Sequence, residues 1–364
     1  MATNIKVVLF EDMPQTRSQI LAALKGHLGQ QGEVIPFERS LFQEAPADKE
    51  RMYEDRLENI LRKPPYDGAT LLVVDRNLSK SLDSDFRGLS DNAVVAVSKR
   101  LVVPICSYAR EPQFDDYEWR ARWEEGHIIL SLSEGEDELA RQAALVARGF
   151  AQIAAQLPEV MAVKANNSPA KILAALLGKP EYSGKIALYS VGDQNRLTKI
   201  APAGKELGQR VPRMTCFLGY WLWDSLLRYP GLLVNEVAAA SYLDVATGDF
   251  REPRVQAIFE QALYHGPFAD SKRPQWWRGM LDDIVSREDC GNGLDLVRKK
   301  VSPTINPTQC YVDPSKSAGY YCIISGEPVS LENSRGGLSW FPRGADLTRI
   351  SNPKFEEYGP WLGA

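Results

Sequence analysis

Apolar residues run almost without a break through Lys6–Phe10, Thr70–Val74, Leu101–Cys106 and His127–Leu132. Short apolar runs bounded by polar turns read as strands buried on both faces. Gly32–Phe37 is a weaker run, because Pro36 is poorly tolerated in a central strand. Between these runs the period changes from two to about 3.6. Thr16–Leu28 places Ile20, Leu21, Leu24 and Leu28 at helical spacing. Ala47–Arg62 does so with Tyr53, Leu57, Ile60 and Leu61 before Pro64-Pro65 stops it. Ser90–Arg100 carries Ala93, Val94 and Val97, Asp115–Glu125 carries Trp119 and Trp123, and Glu136–Ala155 carries Leu139, Val146, Phe150 and Ile153. Five β/α repeats predict a parallel sheet covered by helices on both faces. Right-handed crossovers leave few topologies, and the simplest is an α/β, flavodoxin-like, five-stranded parallel sheet.

Pro158 is expected to end the long helix, and the chain divides there into a domain over 1–158 and another over 159–364. In the second, Ser168 and Pro169 form a helix start. Lys185–Val191 reads as a strand. Met214–Tyr229 is apolar on nearly every face, as a buried helix would be. Helices are expected over Asn235–Leu243, Pro253–His265 and Gln275–Val285. Beyond Cys290-Gly291-Asn292-Gly293 the character shifts, with strands at Tyr320–Ser325 and Leu338–Phe341 and a tight turn at Gly336-Gly337. The second domain is therefore read as mostly helical α+β.

The chain has 364 residues, so two domains is the natural division. Its net charge of −4 is unevenly spread. Residues 1–155 hold 19 Lys+Arg against 25 Asp+Glu, and the remainder 24 against 22. Neither part is basic enough for charge alone to argue nucleic-acid binding. Cys106, Cys216, Cys290, Cys310 and Cys322 contain no C-x-x-C pair, which favours a reduced, cytoplasmic protein over a disulfide framework. The first residues lack an apolar region of signal-peptide length, and the most apolar segment is interrupted by Asp224 and Arg228, so no membrane association is expected.

The candidate chemistry lies where strands end on carboxylates. Lys6–Met13 finishes on Glu11 and Asp12, and Leu71–Leu78 contains Asp75. In a parallel sheet these ends meet at one edge, where ligands bind. Three carboxylates there would form an acidic pocket suited to Mg²⁺ and a phosphoryl group. With this pattern, Lys6–Ala155 resembles the receiver domain of bacterial two-component response regulators. The resemblance implies that Glu11 and Asp12 are the acidic pair, Asp75 the phosphoacceptor and Ser107 the switch hydroxyl at the end of strand four. It also implies a partner-docking face including Trp119 and Trp123.

The chain departs from that family at one decisive place. Receivers carry a lysine at the end of strand five, where this chain reads HIILSLSEG, with Ser131 and Ser133, and no lysine occurs between Arg100 and Lys164. A serine supplies no fixed positive charge. Asp75 is also followed by Arg76, which could neutralise the acidic group in place of a metal. The leading expectation is thus a cytoplasmic signalling or adaptor protein whose degenerate, pseudo-receiver domain docks protein partners without normal phosphotransfer and needs no cofactor. One alternative is a phosphorylatable regulator that uses Mg²⁺ and has a DNA-binding output, on the strength of a faint helix-turn-helix pattern at Asn235–Leu243 and Arg254–Leu263. The other is an enzyme with catalysis in the second domain. No catalytic residue is assigned there: a zinc set of His265, Cys290, Cys310 and Cys322 lacks knuckle spacing, and His265 reads as a helix cap.

Overall fold

The computed structural model describes residues 5–38, 40–41, 53–78, 89–109, 128–190 and 207–358. The chain forms two compact units, one made of residues 1–163 and 197–220, the other of 164–196 and 221–364. A single boundary near residue 160 does not describe this division. The chain contributes a second segment to the first unit, and packing explains why. A side chain built on Gly219 would lie 2.1 Å from Cε1 of Phe150, so the glycine permits close approach of two helices. The Tyr220 hydroxyl accepts from the Ile105 N–H at 2.9 Å.

In the first unit, β1 (Ile5–Phe10), β2 (Gly32–Pro36), β3 (Leu71–Asp75), β4 (Ile105–Ala109) and β5 (Ile128–Ser131) form one parallel sheet. Its order is β2-β1-β3-β4-β5. Every residue of β3 is buried, as a central strand covered on both faces requires. Pro36 lies on the edge strand β2, where its missing N–H costs no ladder bond to a further strand.

The helices follow from their sequence patterns. Helix α1 (Pro14–Leu28) starts on proline, buries Ile20, Leu24 and Leu28, and stops at Gly29 with φ +58°. Next come α2 (Tyr53–Leu61) and α3 (Asp91–Leu101), the latter capped by the Ser90 side chain. These two cover one face of the sheet, packing Leu57, Leu61 and Val94 against Val8, Phe10, Leu72 and Val74. Helix α4 (Glu136–Ala162) opens with three acidic residues, which suit the positive end of its dipole. It packs on α1 and against β1, β3 and β5. Contrary to expectation it runs through Pro158 to Ala162. A proline removes one N–H, and within the last turns of a 27-residue helix that loss is borne by the neighbouring bonds. The expected helix over Asp115–Glu125 lies outside the described residues.

Helix α7 (Leu207–Trp221) precedes a π-helical turn over Leu222–Leu226. The second unit is helical first, with α5 (Pro169–Leu176), α6 (Ser183–Ala187), α8 (Glu236–Tyr242), α9 (Thr247–Phe250), α10 (Pro253–Ile258), α11 (Arg278–Arg287) and α12 (Gly293–Lys300). β6 (Leu233–Asn235) pairs antiparallel with β7 (Gln275–Trp277). A small sheet follows, of order β10-β11-β8-β9, from β8 (Tyr320–Cys322), β9 (Pro328–Val329), β10 (Ser334–Arg335) and β11 (Thr348–Ser351). Helix α13 (Asn352–Tyr358) comes last among the described residues.

Several local expectations are corrected in this unit. Lys185–Val191 does not begin as a strand: Ile186 and Tyr189 are buried at a spacing of three, and α6 followed by a turn places both inward. Trp276 and Trp277 belong to β7 and not to a helix, both buried against β6 and its surroundings. The helix from Pro253 ends at Ile258, because Leu263 and Tyr264 are drawn into pairing with β7. Leu338–Phe341 is a turn closed by the Phe341 N–H on the Leu338 carbonyl, at 2.9 Å. Thr247–Phe250 adds a short helix between the two helices expected at Asn235–Leu243 and Pro253–His265.

Candidate functional site

The site is built at the C-terminal edge of the parallel sheet. β1 and β3 are neighbours, and the register pairs Phe10 with Val74. The residues that follow are therefore Glu11, immediately past β1, and Asp75, the last of β3, with Asp12 next along the chain. One carboxylate oxygen from each of Glu11, Asp12 and Asp75 lies within 4.8 Å of the other two. All three are buried. This is also where the sheet order reverses direction: the chain moves outward from β1 to β2 and then back across to β3. Ligands of open α/β sheets bind in the crevice outside the strand ends at such a switch point.

Hydrogen bonds fix the carboxylates. Oε1 of Glu11 accepts from the Met13 N–H at 2.8 Å. Its Oε2 accepts from the Tyr108 hydroxyl at 2.6 Å, a buried bond reaching across from β4. Oδ1 of Asp75 accepts from the Asn77 N–H at 2.9 Å. Both backbone donors are two residues beyond the carboxylate they serve, the pattern of a chain turning sharply as it leaves a strand.

Burial pushes Glu11 up from 4.5 to about 7, opposed by its bonds from Tyr108 and Met13 and reinforced by the negative charge of Asp75 and Asp12. Near neutral pH this carboxylate therefore exchanges between its protonated and ionised forms. Three close carboxylates repel one another, and a proton or a cation relieves that repulsion. Their all-oxygen donor set fits a hard divalent cation such as Mg²⁺.

Ser107 lies inside β4 and is almost fully buried, level with Val74. Asp75 is instead level with Tyr108. Side chains alternate along a strand, so Ser107 shares its face with Val74, and Tyr108 shares the face of Asp75. Strand four continues two residues beyond the serine, which is why Tyr108 escapes a reading that ends the strand there. Counting back by twos from Ala109 would not identify it either, because only the inter-strand register reveals which residue faces the acids. Arg76 donates its backbone N–H to the Tyr108 carbonyl at 2.9 Å. At the end of β5, the Ser131 and Ser133 hydroxyls are hydrogen-bonded to each other at 2.7 Å. Trp119 and Trp123 lie outside the described residues.

In the second unit, His265 is exposed and follows the extended pair Leu263-Tyr264, so it does not cap a helix. Cys290 packs beside the helical core, whereas Cys310 and Cys322 belong to a separate small cluster. Among the described residues, the acidic trio is the only set of three or more His, Cys, Asp or Glu side chains at metal-ligand spacing.

Fold and site together define an α/β protein with a flavodoxin-like parallel sheet and a buried acidic cluster at its switch point. No protein-family model, curated protein or solved structure matches the chain.

Proposed function

We propose that this is a signalling or adaptor protein whose first unit is a receiver-like module that docks a protein partner without ordinary phosphotransfer. The observation that carries the reading is the Ser131–Ser133 pair at the end of β5, in place of a fixed cation. A phosphoryl group added to an already crowded trio of carboxylates would bring about −1.5 to −2 further charges. A neutral hydroxyl pair offers little to balance them. The acidic cluster in this reading is a proton-responsive site, in which a proton shared among Glu11, Asp12 and Asp75 relieves their mutual repulsion; Mg²⁺ would be held there if the pocket is active. The second unit then carries the output contact. Five free cysteines fit a reducing compartment such as the cytoplasm. Among the described residues, no helix is long and apolar enough to cross a membrane.

A phosphorylatable module is the second reading, favoured by the approach of the three carboxylates to within 4.8 Å. In that case an Asp75 oxygen would attack the phosphorus of a small phosphodonor, its leaving group would depart, and an acyl phosphate would remain. Acetyl phosphate with Mg²⁺ and intact-mass detection separates the two. The docking reading expects no phosphoryl adduct that depends on Asp75. Stoichiometric adduct on the unaltered protein, absent from Asp75→Ala, would replace it with the second reading.

A further inference from the structure

Two hairpins in the second unit are built the same way around a cysteine. In the first, the Cys310 N–H bonds the Lys316 carbonyl at 2.9 Å, and Gln309 pairs with Ser317 below it. In the second, the Cys322 N–H bonds the Glu327 carbonyl at 2.9 Å, and the Gly326 N–H returns to the Cys322 carbonyl at 2.8 Å. At each tip the N–H groups two and three residues on turn back to the sulfur: Val312 and Asp313 to Cys310, Ile324 and Ser325 to Cys322. Each sulfur also meets an N–H from another strand. Ser330 serves Cys310, and the Ser351 N–H lies 3.4 Å from Sγ of Cys322. The Asn333 amide nitrogen lies 3.9 Å from Sγ of Cys310.

A neutral thiol is a weak acceptor, and several donors aimed at one sulfur suit a thiolate. Burial works to raise both thiols, yet the donors around them outweigh it, and both lie below the ordinary cysteine value. The two sulfurs share one small core, whose buried members are Cys310, Ala318, Cys322 and Val329. The strands around it are two to four residues long. Cores of this size are commonly secured by a metal or a cross-link. Thr308 Oγ1, beside the first hairpin, is buried without a hydrogen-bond partner, whereas the Ser325 hydroxyl, within the second tip, bonds the Cys322 sulfur.

We propose that Cys310 and Cys322 are the two thiolate ligands of a soft metal ion, with zinc as its first representative, which staples the two hairpin tips together. Two inward-facing thiolates need a counter-charge, and zinc prefers sulfur donors. No third His, Cys, Asp or Glu joins this pair among the described residues. The remaining positions therefore fall to oxygen, from the Ser325 hydroxyl beside the Cys322 sulfur and from water.

The test uses the full chain, reduced, loaded with zinc and freed of excess. Elemental analysis is expected to find about one equivalent in the unaltered protein and in Cys290→Ser, and about tenfold less in Cys310→Ser and in Cys322→Ser. Because those two variants could misfold, cadmium is titrated into the unaltered protein. A thiolate-to-cadmium ultraviolet band should saturate at about one equivalent and be unaffected by magnesium, which separates this site from the acidic trio. Failure of the unaltered protein to retain zinc, absence of that band, or full zinc retention by a folded Cys310→Ser/Cys322→Ser double variant would overturn the proposal.

Discussion

The two units bury their polar groups in different ways. Among the described residues, the first unit buries the carboxylates of Glu11, Asp12, Asp75 and Glu138, and the second only that of Asp224. The second unit buries mainly hydroxyls, including Ser225, Ser241, Thr308, Ser330, Thr348 and Ser351, whereas the first buries hydroxyls such as Ser98 and Ser107 alongside its carboxylates. Buried hydroxyls are inexpensive where the backbone bonds them, as when Thr348 donates to the Pro230 carbonyl at 3.0 Å. Buried carboxylates are costly unless paired, and Glu138 is paired, with Arg141 at 2.6 Å. The trio at the sheet edge is gathered from two strands, with like charges facing one another. Such crowding works against stability, and that cost is what makes the edge the candidate functional site. Among its described residues the second unit shows no comparable charge crowding, and its candidate chemistry rests on sulfur.

The largest expected effects test whether both cores are packed as described. Trp276 in the second unit is 1% exposed and meets Phe250 edge-on at 5.2 Å. Phe10 in the first is fully buried and stacks on Phe37 at 4.5 Å. Trp276→Ala and Phe10→Ala should each cost about 3–5 kcal/mol in urea unfolding. A loss below about 1 kcal/mol for either would mean that its unit lacks the packed core on which the comparison depends.

Next comes the charge at the sheet edge. Folded Glu11 holds its proton up to about 7, against an ordinary value of 4.5, so the native state binds more protons than the unfolded state between these values. Its stabilising contribution is complete below about 4.5 and is lost as pH rises through about 7. The total is on the order of 3 kcal/mol. Glu11→Gln, which cannot ionise, should flatten this part of the stability–pH curve, and Mg²⁺ should restore stability to the unaltered protein above pH 7. An unaltered slope in the variant would place the titration elsewhere.

How much of this was legible in the sequence depends on the kind of signal. β1, β3 and β4 could be read because both of their faces are buried, which leaves nearly continuous apolar runs, and β5 from its short apolar run even though Ile129 is exposed. The acids could be placed at one edge because parallel strands share a direction. Tyr108 could not, because a residue's place on β4 relative to Asp75 is a matter of register between strands 30 residues apart. β7 was equally hidden: three residues are too few to show a period, and only pairing with Leu233–Asn235 distinguishes Gln275–Trp277 from the helix that follows. The matched cysteine turns were invisible for a similar reason. Their resemblance lies in backbone N–H directions and not in residue types.

Tyr108→Phe sharpens the picture of the edge. It removes the 2.6 Å bond to Glu11 Oε2 while keeping the ring. That bond favours the ionised carboxylate, so its loss should move the Glu11 midpoint upward and cost about 1.5–3 kcal/mol above pH 7, with little change below pH 5. A pH series of chemical denaturation reads both. A uniform loss at every pH would make Tyr108 a packing residue alone.

The smallest effects test what the two units share. Ser90 Oγ accepts from the Ala93 N–H at 3.2 Å at the start of α3, and Asn235 Oδ1 accepts from the Ala238 N–H at 2.9 Å at the start of α8. Each satisfies one N–H that the first helical turn leaves unpaired, a local requirement unaffected by charge at the sheet edge or sulfur in the hairpins. Ser90→Ala and Asn235→Ala should therefore cost about 1 kcal/mol each, independent of pH between 5 and 8 and of added metal. If Ser90→Ala instead changed the slope of stability with pH, α3 would be coupled to the acidic trio. The division between a charged, responsive edge and an otherwise passive scaffold would then have to be redrawn around that helix.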